Sequence, residues 1–204
     1  MFLVVERSSK SDLQLPSYDG REIALTLPSV NILKQLNVWS RIDEQLISPI
    51  KAAKVLDGNS SYSLDFSDGQ NTLGYLVSNH LIRKALYEEV SNLNNVEIIA
   101  DTSVENIKND GGHTSVFLSN KETIEASLVV AADSRFSEAR RKMGIPANLH
   151  DFARTMILCK IEHEKPHGNV AVEYFDYDRV TALLPMSGNA SSLVITVPTN
   201  TANQ

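Results

Sequence analysis

The stretch "VVAADSRFSEARRKMG", residues 129–144, changes character at its fifth residue. Four apolar residues lead to Asp133, and such a run is typical of a parallel strand buried on both faces. The charged residues that follow, as far as Gly144, predict a short helix that is ended by this glycine. The sequence therefore predicts that the Asp133 carboxylate lies at the carboxyl end of a buried strand.

Segments with two kinds of sequence pattern alternate around this stretch. The run "FLVVE" at residues 2–6 predicts another buried parallel strand, which ends at Glu6, and apolar residues at helical spacing predict helices beginning at Pro28 and Asn79. Residues 50–76 are instead short strand segments with Asp-Gly turns, and residues 150–204 are rich in β-branched and aromatic strand segments. Both of these regions predict antiparallel sheet.

This alternation predicts an α/β (α+β) fold with two interleaved domains. Residues 1–49 and 77–149 are expected to form an incomplete Rossmann-like nucleotide-binding layer, and residues 50–76 and 150–204 an antiparallel β-sheet substrate domain. Ligands in such layers lie at the carboxyl ends of the parallel strands. Glu6 and Asp133 are both predicted at such ends.

Net charge, cysteine content and the length of the apolar runs limit the classes of protein to which this chain can belong. A net charge of −6 argues against a basic face for nucleic acid, which is therefore not an expected partner. Cys159 is the only cysteine and cannot form an internal disulfide. No apolar run approaches the ~18 residues of a membrane span, so we expect a cytoplasmic protein.

Glu6 is a candidate for binding a ribose hydroxyl. In dinucleotide-binding units an acid at the tip of the second strand has this role, about 20 residues after a glycine-rich phosphate loop. None of the nine glycines forms a G-x-G-x-x-G motif, so the sequence predicts that this loop lies upstream of Met1. The alternative is that Glu6 is a solvated acid at a strand end.

Asp133 has two alternatives to a ligand-binding role. It could cap the helix that begins near Ser137, or it could pair with Arg140. The cluster Arg140, Arg141 and Lys142 is likewise either a solvated helix face or, at Arg140, part of an anion site.

Several motifs together resemble one family. "AADSRFSEARRKMGI" resembles the second fingerprint of the p-hydroxybenzoate hydroxylase-like flavin monooxygenases, with Asp133, Ser137 and Arg140 in the family's places and Ser134 where the family usually has glycine. "HDFARTMILCKIEHEKPHGNVAVEYF" and "ALLPM" resemble the ubiquinone-biosynthesis branch of that family. The family's glycine loop and its Gly-Asp motif have no match here, so the chain resembles the middle of a longer enzyme.

The resemblance implies an FAD cofactor that is reduced by NADPH or NADH. Reduced FAD would then form a C4a-hydroperoxide that hydroxylates a phenolic ring, so the protein places the reactants and excludes water rather than supplying a catalytic triad. No catalytic side chain and no metal site are predicted. Beside Glu6, the cofactor-binding candidates implied by the resemblance are Arg21, Arg83, Asp133, Ser137 and Arg140.

The implied substrate is a polyprenyl phenol or quinol, a ubiquinone precursor. Tyr174, Leu183 and Pro185 are the candidates for lining its site, and the alternative is that they are ordinary core residues. Such a substrate implies peripheral association with the inner membrane or with a biosynthetic complex, and a homodimer is also conceivable. Other hypotheses are a non-catalytic fragment or interaction module, and a flavin reductase or epoxidase.

Two further motifs predict ordinary structure. "HEKPH", His163 to His167, matches the zinc-protease pattern, but that chemistry needs both imidazoles on one helix and Pro166 disfavours a helix. Cys159 lies in an alternating strand, where a free cysteine is typically a small buried hydrophobic residue.

Overall fold

The computed structural model describes residues 1–69 and 71–202 and divides into two units. Unit 1 consists of Met1–Gln14 and Val90–His150, and unit 2 of Leu15–Glu89 and Asp151–Gln204. Residues 15–49 and 77–89, which the sequence analysis assigned to the cofactor-binding domain, thus lie in unit 2. Residues 70, 203 and 204, which belong to the predicted β-sheet domain, lie outside the described residues.

Unit 1 contains two small sheets. The elements of this unit are β1 (Phe2–Val5), α1 (Lys10–Gln14), β7 (Val96–Ile99), β8 (Val104–Asn109), β9 (Thr114–Leu118), β10 (Thr123–Ala126) and α4 (Glu138–Lys142). Strands β1 and β7 pair in parallel, as the sequence predicts for β1, and β8, β9 and β10 form an antiparallel sheet in the order β10-β9-β8. The short helix α4 packs against β8.

Two apolar segments of unit 1 are exposed, against the prediction of buried strands. Phe2 and Val4 on β1 are 66% and 43% exposed, and residues 127–132 form no strand, with Leu128 and Val130 78% and 77% exposed. A parallel strand becomes buried only when it has neighbours on both edges and helices on both faces. Among the described residues, β1 pairs only with β7 and residues 127–132 pair with no strand, so the prediction of burial is wrong for both segments.

Unit 2 contains a three-stranded and a six-stranded sheet. The elements of this unit are β2 (Glu22–Thr26), α2 (Leu27–Gln35), β3 (Ser48–Ile50), β4 (Ala52–Asp57), β5 (Ser63–Ser67), β6 (Gly74–Ser78), α3 (Asn79–Val90), β11 (Arg154–Glu162), β12 (Val170–Phe175), β13 (Val180–Pro185) and β14 (Ala190–Pro198). The smaller sheet has the strand order β2-β6-β3, and the larger sheet has the order β11-β14-β13-β12-β4-β5.

The mainly strand character predicted for the end of the chain is confirmed by β11 to β14. Two details differ from the sequence analysis. Strands β4 and β12 pair in parallel, so the larger sheet is mixed rather than antiparallel. Cys159 is exposed on β11, an edge strand whose partner in the described part of the chain is β14, so the expected burial of this cysteine is wrong.

The core of unit 2 lies between the smaller sheet and its helices. Val77 of β6 is fully buried against Val38, Ile42 and Ala85, and Ala85 comes from α3. Helix α2 begins as predicted, with Pro28 in its first turn and the Thr26 hydroxyl accepting a hydrogen bond from the Ser29 N–H. This core holds β6 between β2 and β3. The longest helix, α3, has 12 residues, and no helix in the described part of the chain is long and apolar enough to cross a bilayer.

We predict that Gly74→Ala lowers the free energy of unfolding by ~1–3 kcal/mol. Gly74 is buried on β6 directly opposite β2, and an added Cβ would overlap the Leu25 carbonyl oxygen, which belongs to the backbone and cannot rotate away. Urea unfolding measures the change. The matched control is Gly112→Ala, where an added Cβ meets nothing within 4 Å. Equal stabilities of the two variants would contradict the prediction.

Candidate functional site

Glu6 directly follows β1, at the carboxyl end of the parallel pair β1 and β7. Its main chain continues this pairing, since its N–H donates to the Ile99 carbonyl at 3.0 Å. Its Oε1 accepts a hydrogen bond from the Ser8 N–H at 2.8 Å, and Oε2 has no partner among the described residues. The half-buried carboxylate therefore keeps one oxygen available for a hydroxyl donor.

Asp133 and Ser137 together cap α4. Asp133 Oδ2 accepts from the Ala139 N–H and Ser137 Oγ accepts from the Arg140 N–H, both at 3.0 Å. A hydrogen bond from the Ser137 hydroxyl, followed by the one from the Ala139 N–H, lowers the pKa of Asp133 to about 2. The capping alternative is thus present in the structure, and a contact between the exposed Asp133 and a cofactor stays a prediction.

Arg140 does not pair with Asp133, so that alternative is wrong. Its Nη1 donates to the Ile145 carbonyl at 2.5 Å, while the Ile145 N–H donates to the Arg140 carbonyl at 3.1 Å. Arg140 therefore closes the turn after α4. Its neighbours Arg141 and Lys142 lie 3.9 Å from the exposed Glu138 carboxylate, a distance at which exposed pairs stabilise little.

Arg21 is held by Asp19 at the start of α3. Its Nε and Nη2 donate to Asp19 Oδ2 at 2.9 and 2.5 Å, and Asn79 Nδ2 donates to the same oxygen at 2.8 Å. The Asn79 N–H also donates to the Arg21 carbonyl at 2.9 Å. Asp19 therefore cancels much of the charge of Arg21 while fixing the orientation of its guanidinium group. Sequence reasoning missed Asp19, although its position two residues before Arg21 was a usable signal.

Arg83 lies on α3, one helical turn after Asn79 and hence on the same face of the helix. Its side chain is exposed, and it forms no ion pair within the described ranges. The sequence analysis assigned Arg21 and Arg83 to the cofactor-binding domain, and the structure distinguishes them. Arg21 shares its charge with Asp19, whereas Arg83 has no such partner among the described residues, and the binding of a phosphate by either arginine stays a prediction.

The three candidate substrate-lining residues lie on one face of the larger sheet. Tyr174 pairs with Thr181, and Leu183 and Pro185 are two and four residues beyond Thr181, so all three side chains point to the same side. Tyr174 and Leu183 are half-buried, whereas Pro185 is fully buried. Burial of Pro185 fits the core alternative for that residue, and the binding role of all three stays a prediction.

The segment around "HEKPH" forms a turn between β11 and β12, not a helix. The rings of His163 and His167 are 5.6 Å apart, and each is tied to the backbone, His163 Nδ1 to the Lys165 carbonyl and His167 Nε2 to the Met186 carbonyl. Among the residues that the structure describes, no group of three or more histidine, cysteine or carboxylate side chains is placed to bind a metal.

A comparison with known families matches residues 2–204 to a profile described as "FAD binding domain". The chain belongs to this FAD binding domain family. The family is consistent with the Glu6 carboxylate at the end of β1 and with the exposed arginines described above, which are groups that suit ribose hydroxyls and phosphates.

Two curated relatives are similar over almost the whole chain. Ubiquinone hydroxylase UbiM of Neisseria meningitidis is 44% identical over 98% of this chain and 45% of the relative. Ubiquinone hydroxylase UbiL of Rhodospirillum rubrum is 33% identical over 95% of this chain and 46% of the relative. The chain thus spans about half the length of the curated relatives it matches.

Among solved structures, PqsL of Pseudomonas aeruginosa in complex with 2-aminobenzoylacetate has a TM-score of 0.80. The match covers 98% of this chain and 55% of PqsL at 15% sequence identity. At this identity the likeness concerns the fold alone, and it confirms the mixed α/β class predicted from the sequence.

We predict that Asp19 titrates near pH 2 and that Arg21→Gln raises its pKa toward the ordinary value of about 3.9. The hydrogen bonds from Arg21 are the largest cause of the lowered pKa of Asp19, ahead of the one from Asn79. Because the folded-state pKa is depressed, the pair stabilises the fold fully above about pH 4 and loses this effect as the pH falls toward 2.

Carboxyl-carbon NMR titration measures this pKa. Asp133 is an internal control, since its pKa is lowered by Ser137 and Ala139 and should stay near 2 in the same variant. An Asp19 midpoint that does not move in Arg21→Gln would show that Arg21 does not hold this carboxylate.

Proposed function

We propose that this chain is part of an FAD-dependent monooxygenase that hydroxylates the aromatic ring of a ubiquinone precursor, with NADPH or NADH as reductant. The observation that carries the proposal is the similarity to two ubiquinone hydroxylases over nearly the whole chain. Bound FAD would supply the activation of O2 and the transfer of one oxygen atom to the ring. The chain's own residues would bind and orient the reactants.

Several of the candidate residues have groups that suit the ribose or the phosphates of FAD. In unit 1, Glu6 Oε2 is free to accept a hydrogen bond from a ribose hydroxyl. Asp133 is a second, exposed carboxylate of the same unit. In unit 2, Arg83 has an unshared charge for a phosphate. Arg21 has donors left on Nη1, because Asp19 engages Nε and Nη2. The groups present therefore fit ribose and phosphate, whereas a glycine loop for the diphosphate does not occur in this sequence.

A polyprenyl phenol or quinol is the proposed substrate class. The half-buried Tyr174 and Leu183 share one face of the larger sheet and would contact the ring or its tail. Because a prenyl tail partitions into lipid, peripheral association with the inner membrane or with a biosynthetic complex is part of the proposal. A homodimer is a separate hypothesis.

A non-catalytic role is the second candidate function. It is favoured by the hydrogen bonds of Asp133, Ser137 and Arg140, all of which serve the ends of α4. In this alternative the residues that match the family's fingerprint stabilise α4 and bind no cofactor.

We predict that the 204-residue chain, purified alone, retains little FAD. Diphosphate binding needs several backbone N–H groups converging at a glycine loop, and single charge-assisted hydrogen bonds contribute only ~1.5–3 kcal/mol each. Flavin absorbance after incubation with excess FAD and desalting measures retention. A near-stoichiometric yellow complex would show that Glu6, Arg21, Arg83 and Asp133 suffice without such a loop.

A chimera tests the activity. When this chain replaces the matching segment of Neisseria meningitidis UbiM, we expect the product to retain FAD and to oxidise NADH or NADPH faster with a phenolic substrate. In the chimera, Asp133→Ala should reduce flavin content or the rate of flavin reduction several-fold, because the proposal has the Asp133 carboxylate contact the cofactor. The matched control is Glu138→Ala, which removes only exposed ion pairs at 3.9 Å.

Two outcomes would change the interpretation. A chimera that binds FAD but shows no substrate-stimulated oxidation of the nicotinamide would favour the non-catalytic alternative. Unchanged flavin content and reduction rate in Asp133→Ala would restrict Asp133 to capping α4.

A further inference from the structure

A cavity of about 280 Å³ lies within unit 2. The Leu76 and Ser78 side chains, two residues apart on β6, and the Ser78 cross-strand partner Glu22 on β2 share the sheet face that lines it, opposite the face from which Val77 packs against the core. Four of the lining residues are apolar and the other seven are polar or charged. The cavity is lined by Tyr18, Glu22, Leu46, Ser48, Leu76, Ser78, His80, Leu81, Lys160, Met186 and Ser187.

Glu22 is the strongest hydrogen-bond acceptor in this lining. The Ser78 hydroxyl donates to both of its carboxylate oxygens, at 2.7 and 2.8 Å, and the Tyr18 hydroxyl lies 3.4 Å from Oε1. A carboxylate has about four acceptor positions, so at least one position remains vacant. No cation lies within 4 Å of Glu22 in the part of the chain that the structure describes. A half-buried carboxylate with no cation and a vacant acceptor position favours a ligand that donates a hydrogen bond.

The serine hydroxyls of the cavity have no proton left to donate. Ser78 donates to Glu22, and Ser187 donates to the Gln45 carbonyl at 2.8 Å. Ser48 and Ser187 are 3.1 Å apart, and since the proton of Ser187 is engaged, Ser48 is the donor of that bond. The wall formed by Glu22 and the serines therefore offers acceptors to a ligand, not donors.

Tyr18 and His80 line one edge of the cavity, where a ligand can displace the Tyr18 hydroxyl. Their rings meet edge to face with centroids 5.3 Å apart, and His80 Nδ1 is buried without a hydrogen-bond partner among the described residues. Tyr18 is 53% exposed and its hydrogen bond to Glu22 is long, so its hydroxyl can give up its place to a ligand at small cost. Burial and the nearby Glu22 charge raise the pKa of Tyr18 above its ordinary value.

We propose that this cavity binds the hydroxylated ring of a phenol or quinol, with Glu22 accepting the hydrogen bond of the ring hydroxyl. This proposal rests on the proposed function, since it assigns a site to the substrate of that reaction. The volume suits a substituted ring, because a dry cavity of ~150 Å³ already accommodates benzene. Leu46, Leu76, Leu81 and Met186 supply the apolar surface for the ring. Since Glu22 and the serine hydroxyls beside it offer only acceptors, a ring hydroxyl is favoured next to Glu22 over a ring carbonyl or ether.

Methyl NMR of the 204-residue chain, labelled at the methionine methyl groups, tests the proposal without flavin or reductant. We expect 4-methylphenol to shift the Met186 resonance and to leave those of Met143 and Met156 unchanged, because neither of these lines the cavity. 4-Methylanisole has nearly the same shape but no hydroxyl donor, and should bind at least tenfold more weakly. Glu22→Gln should weaken the binding of 4-methylphenol about tenfold and leave that of 4-methylanisole unchanged.

A second variant separates loss of the site from loss of the fold. Leu46 is 47% exposed at the rim of the cavity, so Leu46→Phe should fill the cavity and weaken both ligands while circular dichroism and the thermal unfolding midpoint stay near those of the parent chain. Absence of a Met186 shift, equal affinity for the phenol and its ether, or equal affinity of the parent and Glu22→Gln would each overturn the proposal.

The flavin ring is the competing occupant. If lumiflavin shifts Met186 with the same affinity in the parent and in Glu22→Gln, and 4-methylphenol does not compete with it, the cavity belongs to the cofactor and the proposal is wrong. The experiments distinguish failure of this proposal from failure of the proposed function. An inactive chimera together with Glu22-dependent phenol binding would refute only the proposed function, and an active chimera without phenol binding would refute only this site.

Discussion

The register of β2 on β6 is the constraint on which unit 2 depends. It places Val77 in the core beneath α2 and α3, and it places Glu22 opposite Ser78 on the other face of the sheet. A slip of one residue would exchange these faces, because successive side chains of a strand point to opposite sides. The close approach of Gly74 to the Leu25 carbonyl fixes this register, since only a residue without Cβ fits there. Core and cavity are therefore set by the same backbone alignment.

Local sequence patterns predicted much of this architecture, but not the pairing between distant segments. Helix α2 follows from Pro28 and its apolar spacing, and the turns after β8 and β9 follow from glycine and Asn-Lys pairs. The parallel pairing of β4 with β12 and the exposure of residues 127–132 do not follow, because a strand's apolar run does not encode its partner. Glu22 and Ser78 illustrate the same limit for the site. They are far apart in sequence, and no local pattern pairs one with the other.

Ion pairs and hydrogen bonds within the chain partly neutralise the candidate cofactor-binding groups. Asp19 engages two donors of Arg21, and Asp133 is engaged by N–H and O–H donors at the start of α4. Such contacts orient side chains before a ligand arrives, at the cost of weakening their net charge. The residues that match the family's fingerprint could thus be identified from the sequence. The hydrogen-bond partners that orient each of these residues could be identified only from the structure.

The parallel pair β4 and β12 has a consequence for the order of folding. Ala52 and Val170 are partners in this pair although more than a hundred residues separate them, and residues 90–150, which belong to unit 1, lie between them in sequence. Long-range pairing of this kind is slow, because the entropy of closing a large loop is lost before the contact forms. During synthesis, the segment of unit 2 that precedes unit 1 leaves the ribosome well before its partner strands exist. Unit 2 is therefore completed last, and until then β4 presents an unpaired edge on which a chaperone or another nascent chain can act.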